Sequence, residues 1–238
     1  MHVRAELVYV KNTSNQSLFN RQHSLLSPML DTVKEIAYQH FKGARGSHNW
    51  DHTLRVCRLC EHLGSVEGVD LDVLLVAAYL HDIARGRQDD SNGAVCHAEE
   101  GARMAAPIVA ELALTRNQKE NILHCIRTHR FRGDRQPQTP EARVLFDADK
   151  LDAIGAVGVA RAFLFAGELG ARLHNAGTNL DETLPYSRED TGYREFKLKL
   201  CKIKDRMQTG EGLKLARGRH AFMEEFFKRF IDENEGKR

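Results

Sequence analysis

The chain has 238 residues, 42% of them hydrophobic, and a formal charge of only +2, because 35 basic side chains nearly balance 33 acidic ones. It is long enough to bury a substantial core, and its mild charge argues against a specific nucleic-acid partner. No apolar run is long enough to span a membrane, and five cysteines without a secretory signal do not suggest a disulfide framework. We therefore expect a cytoplasmic protein.

The first 26 residues differ in composition from the rest of the chain. They are polar after Val10 and rich in Asn, Ser and Gln, which indicates a poorly ordered arm or a short added strand. Their scarcity of acidic residues leaves an organelle-targeting peptide as a minor alternative. Residues 27–238 contain no linker and no internal repeat, so a single all-α domain is expected there.

Helix signals follow one another from residue 27 with hardly a strand pattern between them. Pro28 suits a first helical turn, Gly64 is expected to end the second helix, and Thr115 with Gln118 forms a capping-box signature for the fifth. The predicted helices cover residues 27–41, 49–63, 70–84, 97–112, 115–130, 141–169, 193–207 and 211–233, with loops at 86–93 and 170–192. The long sixth helix is expected to break near Asp147. The pattern predicts an all-α bundle with a C-terminal helical extension.

Four ionisable residues lie on the apolar faces of three predicted helices. His52 continues the stripe of Val56, His81 and Asp149 continue similar stripes, and Asp82 adjoins His81. Ionisable groups are seldom buried without a partner, and mixed imidazole and carboxylate ligands suit a divalent transition metal. A hydrogen-bonded core imidazole is the commoner explanation of an isolated histidine, but the adjacent His-Asp pair favours one shared metal site.

The residue types around this site suit hydrolysis of phosphate bonds. A metal bound by two imidazoles and two carboxylates keeps positions for water and a phosphate oxygen, and Asp82 is the candidate general base. Arg55 and Lys150 adjoin the proposed ligands, so both are candidates to contact a substrate phosphate. Arg55 could instead form a structural salt bridge with an acid such as Asp51 or Asp82, and Lys150 could face solvent.

Two further histidines bear on the number of metal ions. His129 shares a stripe with Ile122 and Ile126, and His97 begins the fourth helix, so both could reach the same pocket. We regard them first as candidate phosphate contacts, with helix packing or a second metal ion as alternatives.

Basic side chains also cluster in two places on the predicted helices. Either set could form a phosphate-facing rim, although a solvated helix face is the commoner meaning of such clusters. The two sets are Arg127, Arg130, Arg132 and Arg135, and Lys197, Lys199, Lys202 and Lys204.

The order of His52, the pair His81-Asp82, and Asp149 resembles the H...HD...D signature of the HD-domain metal-dependent phosphohydrolases. The words around these residues are similar to those of the stand-alone YedJ/YpgQ-like subgroup: HNWDHTLRV at 48–56, AYLHDI at 78–83 and DADKLDA at 147–153. The likeness extends over roughly residues 31–233. It implies an HD-domain helical bundle, a bound divalent metal and hydrolysis of phosphate bonds, with nucleoside triphosphates cleaved to a monophosphate and pyrophosphate as the first expectation.

Several properties stay open at this point. Mn²⁺ is the first metal expected, with Mg²⁺, Fe²⁺, Co²⁺ or Ni²⁺ as alternatives, and a homodimer is an alternative to a monomer. A nucleotide monophosphatase, a cyclic-nucleotide phosphodiesterase and a non-catalytic module that binds metal and nucleotide are the competing functions. Some HD hydrolases carry an acidic pair just after the HD dipeptide, whereas this chain has Ile83-Ala84-Arg85. A mechanism that depends on such a pair is therefore not transferred.

Overall fold

The computed structural model describes residues 28–42, 49–91, 94–130 and 135–237. Within these ranges the chain is helical and forms no strand, which confirms the predicted all-α class. None of the helices in the described part of the chain combines the length and the apolar character needed to cross a membrane. The predicted arm at residues 1–26, with its targeting alternative, lies outside the described residues, as does Arg132.

Ten α-helices and two 3₁₀ helices make up the described ranges. The α-helices are α1 (28–39), α2 (Trp50–Glu67), α3 (Leu71–Leu80), α4 (Arg85–Asp90), α5 (His97–Ala110), α6 (Arg116–Thr128), α7 (Pro140–Asp152), α8 (Gly155–Glu168), α9 (Gly192–Leu198) and α10 (Gly210–Asn234). The 3₁₀ helices cover Leu180–Glu182 and Leu200–Arg206.

The central helix is α3, as its apolar sequence predicts. Seven of its ten residues are buried, and it packs against α2, α6 and α7. Helix α5 covers α6, while α10 packs against α7 and α8 and forms the C-terminal extension together with α9 and the second 3₁₀ helix. This packing brings the ends of five helices, α2, α3, α5, α6 and α7, to one side of the core.

Side-chain caps explain where several of these helices begin. Asn49 accepts hydrogen bonds from the backbone N–H groups of the first turn of α2, and Asp70 does the same for α3. The capping box predicted from Thr115 and Gln118 is present at the start of α6. The capping box is encoded within four residues, which is why the sequence predicts it.

The second helix does not end at Gly64, contrary to the prediction. A Cβ at Gly64 would lie 2.6 Å from Leu74 Cδ2, so the glycine lies within α2 and allows α3 to approach closely. The helix ends instead at Gly68, whose φ of 70° is the left-handed conformation that favours glycine.

The predicted break near Asp147 is also wrong in position. Helix α7 continues through this residue, whose buried carboxylate accepts hydrogen bonds from the backbone N–H of Gln208 at 2.8 Å and of Thr209 at 2.9 Å. These bonds hold the start of α10 against α7. Helix α7 ends at Asp152, and helix α8 begins at Gly155, which has a φ of 78°.

Three shorter segments differ from the predicted helices and loops. The third helix ends at Leu80, so the His-Asp pair lies in a turn rather than in a helix. The predicted loop at 86–93 contains the short helix α4, and the predicted helix at 193–207 divides into α9 and a 3₁₀ helix.

Gly158→Ala is expected to destabilise the fold. An added Cβ would lie 2.2 Å from the carbonyl oxygen of Ala153, in the turn between α7 and α8, so the backbone must shift. We expect the free energy of unfolding in urea to fall by about 2 kcal/mol. Gly167→Ala in the same helix is the matched control, because a Cβ there meets nothing within 4 Å and should add about 0.5 kcal/mol. Equal stability of the two variants would contradict this account of the turn.

Candidate metal centre

Six ionisable side chains converge where the five helix ends meet. Five of them, His52, His81, Asp82, His97 and His129, are at most 4% exposed, and the Asp149 side chain is 15% exposed. All four residues predicted as metal ligands are therefore brought together, along with both of the additional histidines.

The ligand atoms fall into two groups. His52, His81 and Asp149 form the first, in which His52 Nε2 lies 3.4 Å from both His81 Nε2 and Asp149 Oδ1. Asp82 forms the second with His97 and His129; its Oδ1 lies 3.1 Å and 3.5 Å from their respective Nε2 atoms.

Asp82 lies between these two groups. While its Oδ1 faces the second group, its Oδ2 lies 3.6 Å from His52 Nε2 and 3.7 Å from His81 Nε2 in the first. A single carboxylate thus presents one oxygen to each group.

The two imidazoles of the first group face each other through their Nε2 atoms. His81 Nδ1 donates to the carbonyl of Ala78 at 2.7 Å, and His52 Nδ1 donates to Asp152 Oδ2 at 2.7 Å. In each neutral ring the Nε2 atom is then an acceptor, and two acceptors 3.4 Å apart repel unless a cation lies between them. Two ligands about 2.1 Å from one tetrahedral ion would have about this separation.

The second pair of imidazoles also faces each other through Nε2. His129 Nδ1 donates to the carbonyl of Ile126 at 2.7 Å. His97 Nδ1 lies 2.8 Å from Gln88 Oε1 and 3.1 Å from the Arg130 guanidinium, which also donates to that oxygen. The Nε2 atoms of the two histidines lie 3.0 Å apart. Asp82 Oδ1, buried beside them, accepts no hydrogen bond from the described residues. Both groups therefore fit a cation.

Electrostatics favour neutral His81 and His97 rings and an ionised Asp149 carboxylate. Burial lowers the pKa of His81, and it lowers the pKa of His97 to about 4 although Asp82 opposes the shift. Burial would raise the pKa of Asp149, but Lys150 and His52 hold it well below its usual range. These are the protonation states that a metal ion requires of its ligands.

His52 is the exception among these imidazoles. Burial would lower its pKa, but hydrogen bonds with Asp149 and Asp152 raise it above its ordinary value. The two carboxylates thus attract positive charge to this ring, which either a proton or a metal ion can supply.

Asp152 orients His52, and sequence reasoning missed this role. Its buried carboxylate binds His52 Nδ1 and accepts hydrogen bonds from Arg55 Nε at 2.6 Å and Arg161 Nη1 at 2.6 Å. The spacing of three residues from Asp149, on the same helical face, was the available signal. Arg55 thus forms the structural salt bridge that was the alternative to a phosphate contact, but its partner is Asp152 rather than Asp51 or Asp82.

A cavity of about 550 Å³ opens onto both ligand groups. Asp82, His97, His129 and Asp149 lie in its wall, whereas Arg55 does not line it. Seven basic side chains of the described part of the chain line this cavity: Arg85, Arg130, Lys150, Arg161, Lys199, Lys202 and Arg206. Such a concentration of positive charge beside metal-binding residues suits a phosphorylated ligand.

The two predicted basic sets contribute only in part to this lining. Among the described residues, Arg130 lines the cavity from the first set, and Lys199 and Lys202 line it from the second. Arg135 of the first set forms an ion pair with Glu99 instead. The other lining cations come from separate elements, so no local pattern in the sequence marks them.

A helical bundle with buried His and Asp groups beside a basic cavity is the architecture of a metal-dependent phosphohydrolase. The sequence matches the HD domain family over residues 49–154. It is 34% identical over 187 residues to the uncharacterized protein YpgQ of Bacillus subtilis, a stretch that covers 75% of this chain and 80% of YpgQ. The chain therefore belongs to the HD-domain phosphohydrolase superfamily, in the group of YpgQ.

Solved structures show the same relationship. Bacillus subtilis YpgQ in complex with ADP superposes with a TM-score of 0.67 at 29% identity, over 86% of this chain and 97% of YpgQ. An HD-superfamily hydrolase from Bacillus thuringiensis has a TM-score of 0.69 at 25% identity, over 88% and 98% of the two chains.

Ribonuclease Y of Desulforamulus reducens is 28% identical over 61% of this chain, which spans only 26% of that enzyme.

Asp152→Asn is expected to weaken metal binding. An Asn side chain has one acceptor oxygen where the carboxylate has two, so it cannot accept the hydrogen bonds of His52 and both arginines together. His52 then loses its orientation. We expect the affinity for Mn²⁺, measured by competition with a chromophoric chelator, to fall about tenfold. Asp51→Asn, an exposed change beside His52, is the control and should leave the affinity unchanged. Equal affinities in the two variants would refute the orienting role.

Proposed function

We propose that this phosphohydrolase acts on nucleotides, and that it cleaves nucleoside triphosphates to a monophosphate and pyrophosphate. The observation that carries the proposal is the basic cavity beside the two ligand groups, since a polyphosphate suits a lining of seven cations, three of which also pair with carboxylates. The ADP in the related YpgQ structure supports a nucleotide rather than another phosphate ester.

We assign the two ligand groups to two divalent ions. His52, His81 and Asp149 would hold one, His97 and His129 the other, and Asp82 would contribute one oxygen to each. The facing Nε2 atoms in both groups support this assignment, as does the buried Asp82 Oδ1. It replaces the expectation of one ion and changes the proposed role of the last two histidines from phosphate contacts to ligands. Mn²⁺ remains the first metal proposed.

When bound, such ions polarise a phosphate group and lower the pKa of water. The protein's own residues then divide the remaining tasks. Asp82 is the proposed catalytic carboxylate, because a carboxylate between the two groups can orient the attacking water or accept its proton. Lys150, which donates to Asp149 Oδ2 at 2.6 Å and lines the cavity, would contact a substrate phosphate. The proposed role of Arg55 is instead to hold Asp152.

Metal analysis tests the two-ion assignment. Protein reconstituted with Mn²⁺ and freed of excess metal is expected to hold about two ions per chain, whereas His129→Ala should hold about one because the second group loses a ligand. His62→Ala is the control, since this exposed histidine pairs with Glu211 away from the cavity. About one ion per chain in the unaltered protein would overturn the assignment.

A panel of nucleotides with product analysis tests the reaction. In the presence of Mn²⁺ we expect pyrophosphate and a monophosphate from nucleoside triphosphates, and a loss of roughly 100-fold or more in His81→Ala. Asp82→Asn that kept both metal and full turnover would remove the catalytic role of this carboxylate.

The products also separate the competing functions. Inorganic phosphate from monophosphates would identify a monophosphatase, and opening of a cyclic nucleotide would identify a phosphodiesterase. Shortening of an RNA oligonucleotide would indicate an activity like the one for which ribonuclease Y is named. Protein that is replete with metal and binds nucleotides but hydrolyses none would be a non-catalytic module.

A further inference from the structure

A second, smaller cavity of about 220 Å³ adjoins the metal-side cavity. The two share a wall that includes Arg85, Arg161, Glu195 and Lys199. Beyond this wall the lining changes from basic to apolar, because the remaining side chains come from α8 and from Tyr186 in the loop that precedes α9. A ligand with its phosphates at the metal centre could therefore extend into an apolar space.

The floor of the smaller cavity is one face of α8. Gly158, Ala162 and Phe165 follow one another at offsets of four and seven residues, so they share this face. The small side chain of Ala162 leaves space, Gly158 contributes backbone to the lining because its missing Cβ would face the Ala153 carbonyl, and Phe165 adds an aromatic ring. A flat ring is the shape that such a space between a small-residue face and an aromatic side chain accommodates.

Tyr186, which also lines the smaller cavity, has an unusual backbone conformation. Its φ of 57° is uncommon for a residue other than glycine, and its backbone N–H donates to Asp190 Oδ2 at 2.8 Å. Asp190 is buried and accepts a hydrogen bond from Arg194 at 2.8 Å. Although the Tyr186 residue is 78% exposed, its ring lies edge-on to Phe165 at a centroid distance of 6.1 Å. Burial of the ring does not explain why the backbone adopts this conformation.

The charges along the two cavities set the direction of a bound ligand. Glu195 lies in the shared wall and pairs with Lys199 at 2.8 Å. A carboxylate repels phosphate and accepts hydrogen bonds from hydroxyl groups. The shared wall thus holds three cations and one carboxylate between the basic lining of the larger cavity and the apolar lining of the smaller one. A ligand that spans both would have its anionic end at the metal centre and an aromatic ring in the smaller cavity, which is the order of phosphate and base in a nucleotide.

We propose that the smaller cavity is a nucleobase subsite, in which the base packs against Phe165 and Tyr186 while the sugar lies beside Glu195. This subsite rests on the proposed function for the position of the phosphates. Because every base has an aromatic face, stacking of this kind discriminates weakly among purines and pyrimidines. The expected substrate class is therefore nucleoside triphosphates of broad base specificity.

The subsite is tested by removing the Tyr186 ring. Tyr186→Gly suits the observed φ, so the fold should be kept, and thermal unfolding checks this. Tyr186→Phe retains the ring, and Leu184→Ala is a control in the same loop, 71% exposed and lining neither cavity. The measurements are KM and kcat with Mn²⁺ for ATP and for inorganic tripolyphosphate, together with ATP binding by calorimetry in EDTA.

In Tyr186→Gly we expect KM and Kd for ATP to rise about tenfold, as for a lost base-stacking contact, with the kinetics of tripolyphosphate unchanged. Tyr186→Phe and Leu184→Ala should match the unaltered protein. An equal effect on ATP and tripolyphosphate, or no effect on ATP, would overturn the subsite. If the unaltered protein hydrolyses no nucleotide, the proposed function fails, and ATP binding in EDTA still decides the subsite, because unchanged or undetectable binding overturns it.

Discussion

Buried acceptor atoms that need a cation are the constraint on which the rest of the structure depends. Four imidazoles and the Asp82 carboxylate are almost fully buried, and both pairs of Nε2 atoms face each other. In a low-dielectric interior such an arrangement is costly unless positive charge is bound among the acceptors. The neighbouring carboxylates raise the pKa of His52, which reflects the same attraction of positive charge to this site. Burial lowers the pKa of His81, because the charged form of the ring loses its hydration.

Two of the four buried histidines lie at helix ends, where the backbone fixes the orientation of their rings. His81 and His129 directly follow the last residues of α3 and α6, and each donates to the carbonyl three residues earlier, at Ala78 or Ile126. The last carbonyls of a helix lack partners within the helix, so a histidine at this position gains a fixed ring orientation from a group that needs a donor. His52 lacks such a carbonyl and obtains its orientation from Asp152.

The side chains proposed to contact substrate come largely from other segments than the side chains of the metal centre. The cations of the larger cavity come from several elements of the second half of the chain together with Arg85, while the smaller cavity belongs to α8 and the loop before α9. A core that binds metal can therefore be shared with other HD-domain proteins while these surrounding segments adapt to a particular ligand.

The sequence by itself determined the all-α class, the capping box of α6 and the convergence of His52, His81, Asp82 and Asp149. Each of these follows from helical periodicity or from contacts within a few residues, and the HD resemblance supplied the hydrolytic class. Only the tertiary structure decided that Asp82 is shared between two groups, that Asp152 holds His52 together with two arginines, and that the break after α7 falls before Gly155. These features depend on atoms brought together from distant parts of the chain, and a local pattern contains no information about which of its neighbours packing will bring within hydrogen-bond reach.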